Sequence, residues 1–196
     1  LPSLTGNTWS KMVSRNQGAL RGLLSESIDS FRTTLLHGES AKKRKVIMVT
    51  SATAGEGKTT LATQFAASLG RACRRTLLVD ADLRAPKAQR VCELPLDPGL
   101  SEVLRNEAEV DDVIRPTRAP GLWMMTAGGC CQECIQALSR DDIRVMFGKL
   151  RDDFDFVIVD SGPVLSAADS VSLSVCVDAA VLSVLKDASQ ANKVYE

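Results

Sequence analysis

The stretch Val46–Thr60, VIMVTSATAGEGKTT, decides the fold. Its first four residues are apolar and mostly β-branched, which predicts a short strand covered on both faces. Gly55 and Gly57 then allow the backbone to turn sharply and to approach a ligand closely. The good helix formers of Thr60–Leu69 follow. The stretch therefore predicts a buried strand, a glycine-bearing loop and a helix in succession.

A loop with these neighbours is suited to binding a polyphosphate. Its backbone N–H groups point inward, and the start of the helix adds partial positive charge. Lys58 is placed to reach the β- and γ-phosphates, and the hydroxyl of Thr59 to bind Mg²⁺. The residues expected to contact the nucleotide are Ala54, Gly55, Glu56, Gly57, Lys58, Thr59 and Thr60.

The usual phosphate loop has the form G-x-x-x-x-G-K-[ST], and Ala52 stands at its first glycine position here. The strand before the loop and the helix after it supply the required context. The alternative is an ordinary glycine-bearing turn in an α/β domain.

Two acidic residues follow the next buried strand, Thr76–Val79. In a doubly wound sheet, ligand-contacting residues lie just beyond the carboxyl ends of the strands, so Asp80 and Asp82 are expected near Lys58. One carboxylate can hold Mg²⁺ or its water, and the other can accept a proton from an attacking hydroxyl. The alternative is a capping Asp before a turn, worth about 1 kcal/mol.

A third carboxylate, Asp160, follows the apolar run Phe156–Val159. An Asp after four apolar residues is a Walker B arrangement, in which the carboxylate binds Mg²⁺ through water. The expected metal ligands are therefore Thr59, Asp80 and Asp160.

The alternation of strands and helices predicts an α/β fold: a mostly parallel, doubly wound sheet flanked by helices, of the P-loop NTPase type. Further strands are expected at Leu122–Thr126 and Ala179–Leu185. Further helices are expected at Leu20–Leu36, Leu100–Leu104, Ser139–Asp153 and Ala167–Val175. We assign residues 1–19 to a lead-in or linker and residues 20–196 to one P-loop domain.

The composition is that of an ordinary globular protein, with 44% hydrophobic and 24% charged residues and a formal net charge of zero. We therefore expect no nucleic-acid partner. The longest apolar region, Val171–Leu185, falls short of the roughly 20 residues of a membrane helix. Residues 1–20 hold no signal peptide, so we expect this chain to be soluble by itself. Its ends, Leu1 and Glu196, indicate a fragment of a longer protein.

Cys130, Cys131 and Cys134 form the cluster C-C-x-x-C. A structural zinc ion needs a fourth ligand, and the one histidine, His37, lies far upstream. Reduced thiols in a cytosolic protein are the favoured interpretation, with zinc as the alternative.

Three motifs stand in order along the chain: SATAGEGKTT at 51–60, LLVDADLR at 77–84 and FVIVDSGP at 156–163. Together they resemble those of the bacterial tyrosine kinases of capsule and exopolysaccharide synthesis, which are built on a P-loop fold of the MinD and ParA kind. The D-x-D-x-R motif is the specific one, because a phosphate loop alone is compatible with many functions. The resemblance covers about residues 26–196.

This resemblance implies an ATP-dependent protein-tyrosine (auto)kinase that transfers the γ-phosphoryl group and regulates exopolysaccharide synthesis or export. Lys58 would hold the terminal phosphates, while Asp80 and Asp160 order Mg²⁺. Asp82 would help to deprotonate the tyrosine hydroxyl, whose ordinary pKa is about 10. The implied partners are tyrosine-containing protein substrates and the cytoplasmic segment of a membrane polysaccharide chain-length regulator. The implied location is the cytoplasmic face of the bacterial inner membrane.

Family members also carry an E-x-x-R-x-x-R helix that packs against a neighbouring subunit in a ring. Glu26 and Arg32 match its two ends here, and Asp29 replaces the middle arginine. These kinases phosphorylate a tyrosine cluster at their own C-terminus, whereas this chain has one tyrosine, Tyr195. Either the cluster lies downstream of this chain or autophosphorylation is largely lost.

Two other functions remain open. The first is a MinD- or ParA-like ATPase switch, but Thr53 stands where the signature lysine of that group would be. The second is a non-catalytic nucleotide-binding scaffold for polysaccharide export, which would tolerate loss of the tyrosine tail.

Overall fold

The computed structural model describes residues 22, 24–37, 44–129, 131–138, 141–166, 168–186 and 189–194. The expectations about residues 1–21, and those that fall on Cys130, Ser139 and Tyr195, lie outside these described residues.

A six-stranded sheet organises the described part of the chain. Its strands are β1 (Val46–Ser51), β2 (Thr76–Asp80), β3 (Ile114–Pro116), β4 (Leu122–Met125), β5 (Phe156–Asp160) and β6 (Ala179–Ser183). They lie in the order β3-β4-β2-β5-β1-β6. Neighbouring strands are parallel except β3, which runs antiparallel to β4. The mostly parallel sheet is thus confirmed.

Helices cover both faces of this sheet. They are α1 (residues 24–37), α2 (Lys58–Arg71), α3 (Ala88–Cys92), α4 (Leu100–Leu104), α5 (Gln132–Ala137), α6 (Asp141–Asp153), α7 (Ala168–Leu173) and α8 (Ala191–Val194). Because strand side chains alternate between faces, Leu77 packs in one core cluster with Phe147 of α6. Leu78 packs in the other with Phe65 of α2. The doubly wound architecture is confirmed.

The C-terminal part departs in detail from the sequence expectation. β6 ends at Ser183 rather than Leu185, and Val184 and Leu185 are 54% and 45% exposed. β6 pairs with β1 at one end of the described sheet, so an apolar run there is only partly covered. α7 ends at Leu173 and continues as a 3-10 turn.

The sequence expectation also missed three short elements, α3, α5 and β3. α3 is little more than one turn long, too short to show a periodic pattern. β3 contains Pro116 and lies at the sheet edge, where a missing backbone N–H is tolerated. None of the helices in the described ranges is long and apolar enough to span a bilayer.

Candidate active site

The loop between β1 and α2 has the backbone that its glycines predict. Gly55 and Gly57 have φ angles of +89° and +80°, where a side chain would be strained. Gly57 directly precedes α2, so Lys58 and Thr59 form the first two residues of a 14-residue helix. Backbone N–H groups and the helix dipole favour an anion at this position.

Glu56 stabilises this loop through hydrogen bonds to its side chain and to its backbone. Its buried carboxylate accepts a hydrogen bond of 2.9 Å from the Thr53 N–H. Its backbone carbonyl accepts one of 2.6 Å from the Ser183 hydroxyl at the end of β6. Hydrogen bonds from the Ser189 hydroxyl and from Thr53 lower the pKa of Glu56. Four of the other predicted nucleotide contacts are exposed, namely Ala54, Gly55, Gly57 and Thr60.

Lys58 and Asp82 form a buried ion pair. The Lys58 ammonium donates to one Asp82 oxygen over 2.6 Å, and the side chains are 11% and 6% exposed. The second Asp82 oxygen accepts the Ala85 N–H at 3.3 Å. Both oxygens of the predicted base are therefore engaged, and the predicted phosphate-binding lysine lies directly against it.

Asp80, at the carboxyl end of β2, is fully buried. Its two oxygens accept the N–H groups of Asp82 and Ala88 at 3.3 and 3.2 Å. It also lies directly opposite Asp160 in the pairing of β2 with β5. Burial and the neighbouring charge of Asp160 raise the pKa of Asp80 to about 7.

Asp160 ends β5 with its carboxylate buried, and neither oxygen has a hydrogen bond of ordinary geometry among the described residues. Burial raises the pKa of Asp160 to about 6, a rise that the Thr59 hydroxyl and the charge of Lys58 partly offset. Buried polar atoms without partners are costly. A buried carboxylate that lacks hydrogen-bond partners and lies beside the Asp80 carboxylate favours the binding of a cation.

The donor set fits a hydrated Mg²⁺. No group of three or more His, Cys, Asp or Glu side chains in the described ranges is arranged to enclose a metal ion. Mg²⁺ usually keeps several waters and takes one or two carboxylates together with substrate phosphates. The oxygens of Asp160 and the hydroxyl of half-buried Thr59 match that requirement. Asp80, already bonded to backbone N–H groups, adds negative charge behind them.

Sequence reasoning missed Asp169, an acidic residue of α7 that is linked to this site through Arg84. Arg84, the last residue of the D-x-D-x-R motif, pairs with the buried Asp169 of α7 at 3.1 Å. The two are 85 positions apart in the chain. The available signal was an acidic residue in the first turn of a helix, which is common in any protein.

The helix that carries Glu26 and Arg32 is attached to its own α2. Arg32 donates to Asp29 at 3.0 Å and to the Ser68 hydroxyl at 2.9 Å. Asp29 also pairs with Arg71 at 3.3 Å. Asp29, which replaces the middle arginine of the motif, thus joins α1 to α2 within one chain, while Glu26 stays exposed.

Comparison with known proteins agrees with this geometry. Residues 44–190 match the AAA domain family. The chain belongs to the AAA domain family. This AAA domain is 30% identical over 149 residues to the tyrosine-protein kinase ptk of Acinetobacter johnsonii, covering 76% of this chain and 20% of that protein. It is 26% identical over 173 residues to the putative tyrosine-protein kinase CapB of Staphylococcus aureus, covering 88% of this chain and 75% of that protein.

Solved structures of a tyrosine kinase domain and of a MinD ATPase are also similar to this chain. The kinase domain of the Escherichia coli tyrosine kinase ETK superposes on this AAA domain with a TM-score of 0.83 at 27% identity, over 87% of this chain and 67% of that one. The cell division ATPase MinD of Pyrococcus furiosus gives a TM-score of 0.62 at 28% identity, over 71% and 58%. The chain spans about a fifth of the length of the Acinetobacter kinase.

Proposed function

We propose that this AAA domain is an ATP-dependent protein-tyrosine kinase. It transfers the γ-phosphoryl group to tyrosine, including tyrosines of its own protein, and thereby regulates exopolysaccharide synthesis or export. The observation that carries the proposal is the convergence of Lys58, Asp82, Asp80 and Asp160 at one edge of the sheet, beside the phosphate loop. The names of its relatives support the same activity.

The proposed substrate is ATP and the proposed cofactor is Mg²⁺, which supplies positive charge against the terminal phosphates. Thr59 and Asp160 hold the ion, and Asp80 stabilises the same position through its charge. The loop N–H groups and the N-terminus of α2 orient the phosphates.

Lys58 has two roles in this proposal. In the structure its ammonium neutralises the Asp82 carboxylate. When ATP binds, the ammonium moves to the terminal phosphates and leaves the Asp82 carboxylate able to accept a proton. Asp82 then takes the proton of the tyrosine hydroxyl, which otherwise ionises at a pKa of about 10. Nucleotide binding thereby activates the base.

Incubation of the chain with γ-labelled ATP, Mg²⁺ and a tyrosine-containing peptide tests this function. We expect labelled phosphotyrosine from the wild type and none from Asp82→Asn, which keeps the size of the side chain. Asp142→Asn, at an exposed position of α6, is the matched control and should retain full activity.

A MinD-like ATPase switch is the second candidate, and the structural similarity to MinD favours it. Thr53, in place of the lysine of that group, counts against it. The same incubation separates the candidates, because a switch releases free phosphate without phosphotyrosine. A non-catalytic scaffold, the third possibility, produces neither.

We further propose the partners and location that the kinase family implies. These are the cytoplasmic segment of a membrane polysaccharide chain-length regulator, tyrosine-containing protein substrates, and the cytoplasmic face of the inner membrane. For ring assembly, the exposed Glu26 is the contact, and Arg32 acts by holding α1 on α2. Sedimentation velocity of the full protein tests this, since Glu26→Lys should reduce the assembled fraction.

A further inference from the structure

A second reactive cluster lies away from the nucleotide site, at the start of α5. The Sγ atoms of Cys131 and Cys134 are 2.8 Å apart, and both residues are thiols rather than a disulfide. Cys131 also accepts the Cys134 N–H at 3.4 Å. The backbone turn at the first residue of α5 therefore brings the two sulfur atoms together.

Arg105 makes the surroundings of this pair positive. Its guanidinium donates to the Cys134 sulfur at 3.2 Å and to the Cys131 sulfur at 4.0 Å. Glu102 fixes the same guanidinium at 3.0 Å. Burial of Cys134 opposes ionisation, but hydrogen bonds from Cys131 and from Arg105 outweigh it and lower the pKa of the Cys134 thiol.

The two sulfur atoms differ in accessibility. Cys131 is half-buried, whereas Cys134 is fully buried beneath it and contacts the Ser101 carbonyl. A small oxidant arriving from solvent therefore meets Cys131 first. Cys134 lies behind it with thiolate character, in a position to attack a modified Cys131.

We propose that Cys131 and Cys134 form a peroxide-reactive dithiol that closes reversibly to a disulfide. The Cys131 sulfur attacks one oxygen of hydrogen peroxide, the O–O bond breaks, and the other oxygen leaves as water, which gives a sulfenic acid. The Cys134 thiolate then attacks that sulfur, the S–S bond forms, and the S–O bond breaks. The leaving hydroxide takes up a proton from solvent and becomes a second water. The dithiol loses two electrons and the peroxide gains them.

A thiol reductant returns the two electrons and opens the disulfide again. Two molecules of a small thiol, such as glutathione, return the disulfide to the dithiol and become a disulfide themselves. A zinc site is the competing interpretation of clustered cysteines. Zinc bound by these thiols is therefore an outcome of the test below.

Peptide mapping of the whole chain tests this inference. The reduced protein is treated with hydrogen peroxide, remaining thiols are blocked, and the unfolded protein is cleaved after glutamate without reduction. Cleavage after Glu133 separates Cys131 from Cys134. We expect the two resulting peptides to stay joined by a disulfide and to separate on addition of a reductant.

Five variants assign the roles. Cys134→Ser should stop at a sulfenic acid on Cys131, detected by dimedone labelling, and Cys131→Ser should give no cross-link at all. Cys130→Ser should still cross-link, as should Cys73→Ser, the matched control at an exposed thiol elsewhere. Arg105→Gln should slow closure several-fold, because the Cys134 thiolate loses its guanidinium partner.

Three results would overturn the inference. They are the absence of joined peptides in the peroxide-treated wild type, a cross-link that survives in Cys131→Ser, and stoichiometric zinc that blocks both thiols until it is removed. Because the wild-type mapping needs no substitution, poor folding of a variant cannot produce the first of these results. Circular dichroism of each variant shows whether its result can be compared with the wild type.

Discussion

The ammonium of Lys58 and the carboxylate of Asp82 lie 2.6 Å apart, although 24 positions separate them in the sequence. Each side chain is almost fully covered, so each charge depends on the other for neutralisation. The residue proposed to bind phosphate thus also restrains the residue proposed to act as base. This shared contact gives nucleotide binding a direct effect on Asp82.

Lys58→Met should destabilise the fold as well as abolish phosphoryl transfer. Removing one partner of a buried ion pair leaves an uncompensated charge, and we expect a loss of about 3–5 kcal/mol in the free energy of unfolding. The double variant Lys58→Met/Asp82→Leu should recover much of that loss. Urea unfolding measures both, with the exposed Lys186→Met as control. Equal stability of the single and double variants would contradict a coupled pair.

The metal-free protein should lose stability as the pH rises. The pKa values of Asp80 and Asp160 are raised to about 7 and about 6, whereas an unfolded Asp has a pKa of about 3.9. The folded state therefore binds more protons, so this contribution is complete below the unfolded pKa and is lost as the pH rises through the folded values.

Urea unfolding with a chelator at about pH 5 and about pH 8 measures this effect. We expect a lower free energy of unfolding at the higher pH, and Asp160→Asn should shrink the difference. Adding Mg²⁺ at the higher pH should restore stability to the wild type but not to Asp160→Asn. A pH response identical in wild type and variant would show that Asp160 does not titrate as described.

Glu56→Gln should loosen the phosphate loop. A charge-assisted hydrogen-bond partner is lost, so the free energy of unfolding should fall by about 2 kcal/mol, and ATP should bind more weakly. Because the pKa of Glu56 is lowered, its contribution is present above the unfolded pKa and is lost as the pH falls through the folded value. The stability difference between variant and wild type should therefore vanish in acid. Glu109→Gln, at an exposed position, should change neither property.

Asp29→Ala should release α1 from α2. Asp29 is partly exposed, so the expected cost is about 1 kcal/mol rather than that of a buried pair. Hydrogen exchange should accelerate in residues 24–37 and leave the central strands unchanged. Ser27→Ala, at an exposed position on the same helix, is the control. Unchanged exchange in α1 would mean that apolar packing, including that of Ile28 and of Phe31 against Phe65, holds the helix.

Much of the sheet could be predicted because its central strands are covered on both faces. A strand such as β5 must then contain a continuous apolar run, here Phe156–Val159, which is visible in the sequence. Parallel strands also bring their carboxyl ends to one edge, so the proximity of Asp80 to Asp160 follows from topology. The positions of the carboxylates were predictable for that reason.

The contacts around the site were not predictable in the same way. Two examples are the hydrogen bond from Ser183 to Glu56 and the ion pair between Arg84 and Asp169. Each depends on which distant segments of the chain lie close together in the fold. Local sequence periodicity does not indicate such long-range contacts. The exposed end of β6 shows the same limit, because an apolar run does not reveal whether a neighbour covers it.

Calorimetric titration with ATP, in the presence and absence of Mg²⁺, is the most direct test of the site. We expect Mg²⁺-dependent binding by the wild type and by Lys186→Met. Asp160→Asn should bind at least tenfold more weakly, a loss of about 1.4 kcal/mol in binding free energy, and Lys58→Met should not bind. Binding of equal strength in all four proteins, with or without Mg²⁺, would show that ATP does not bind at this edge of the sheet.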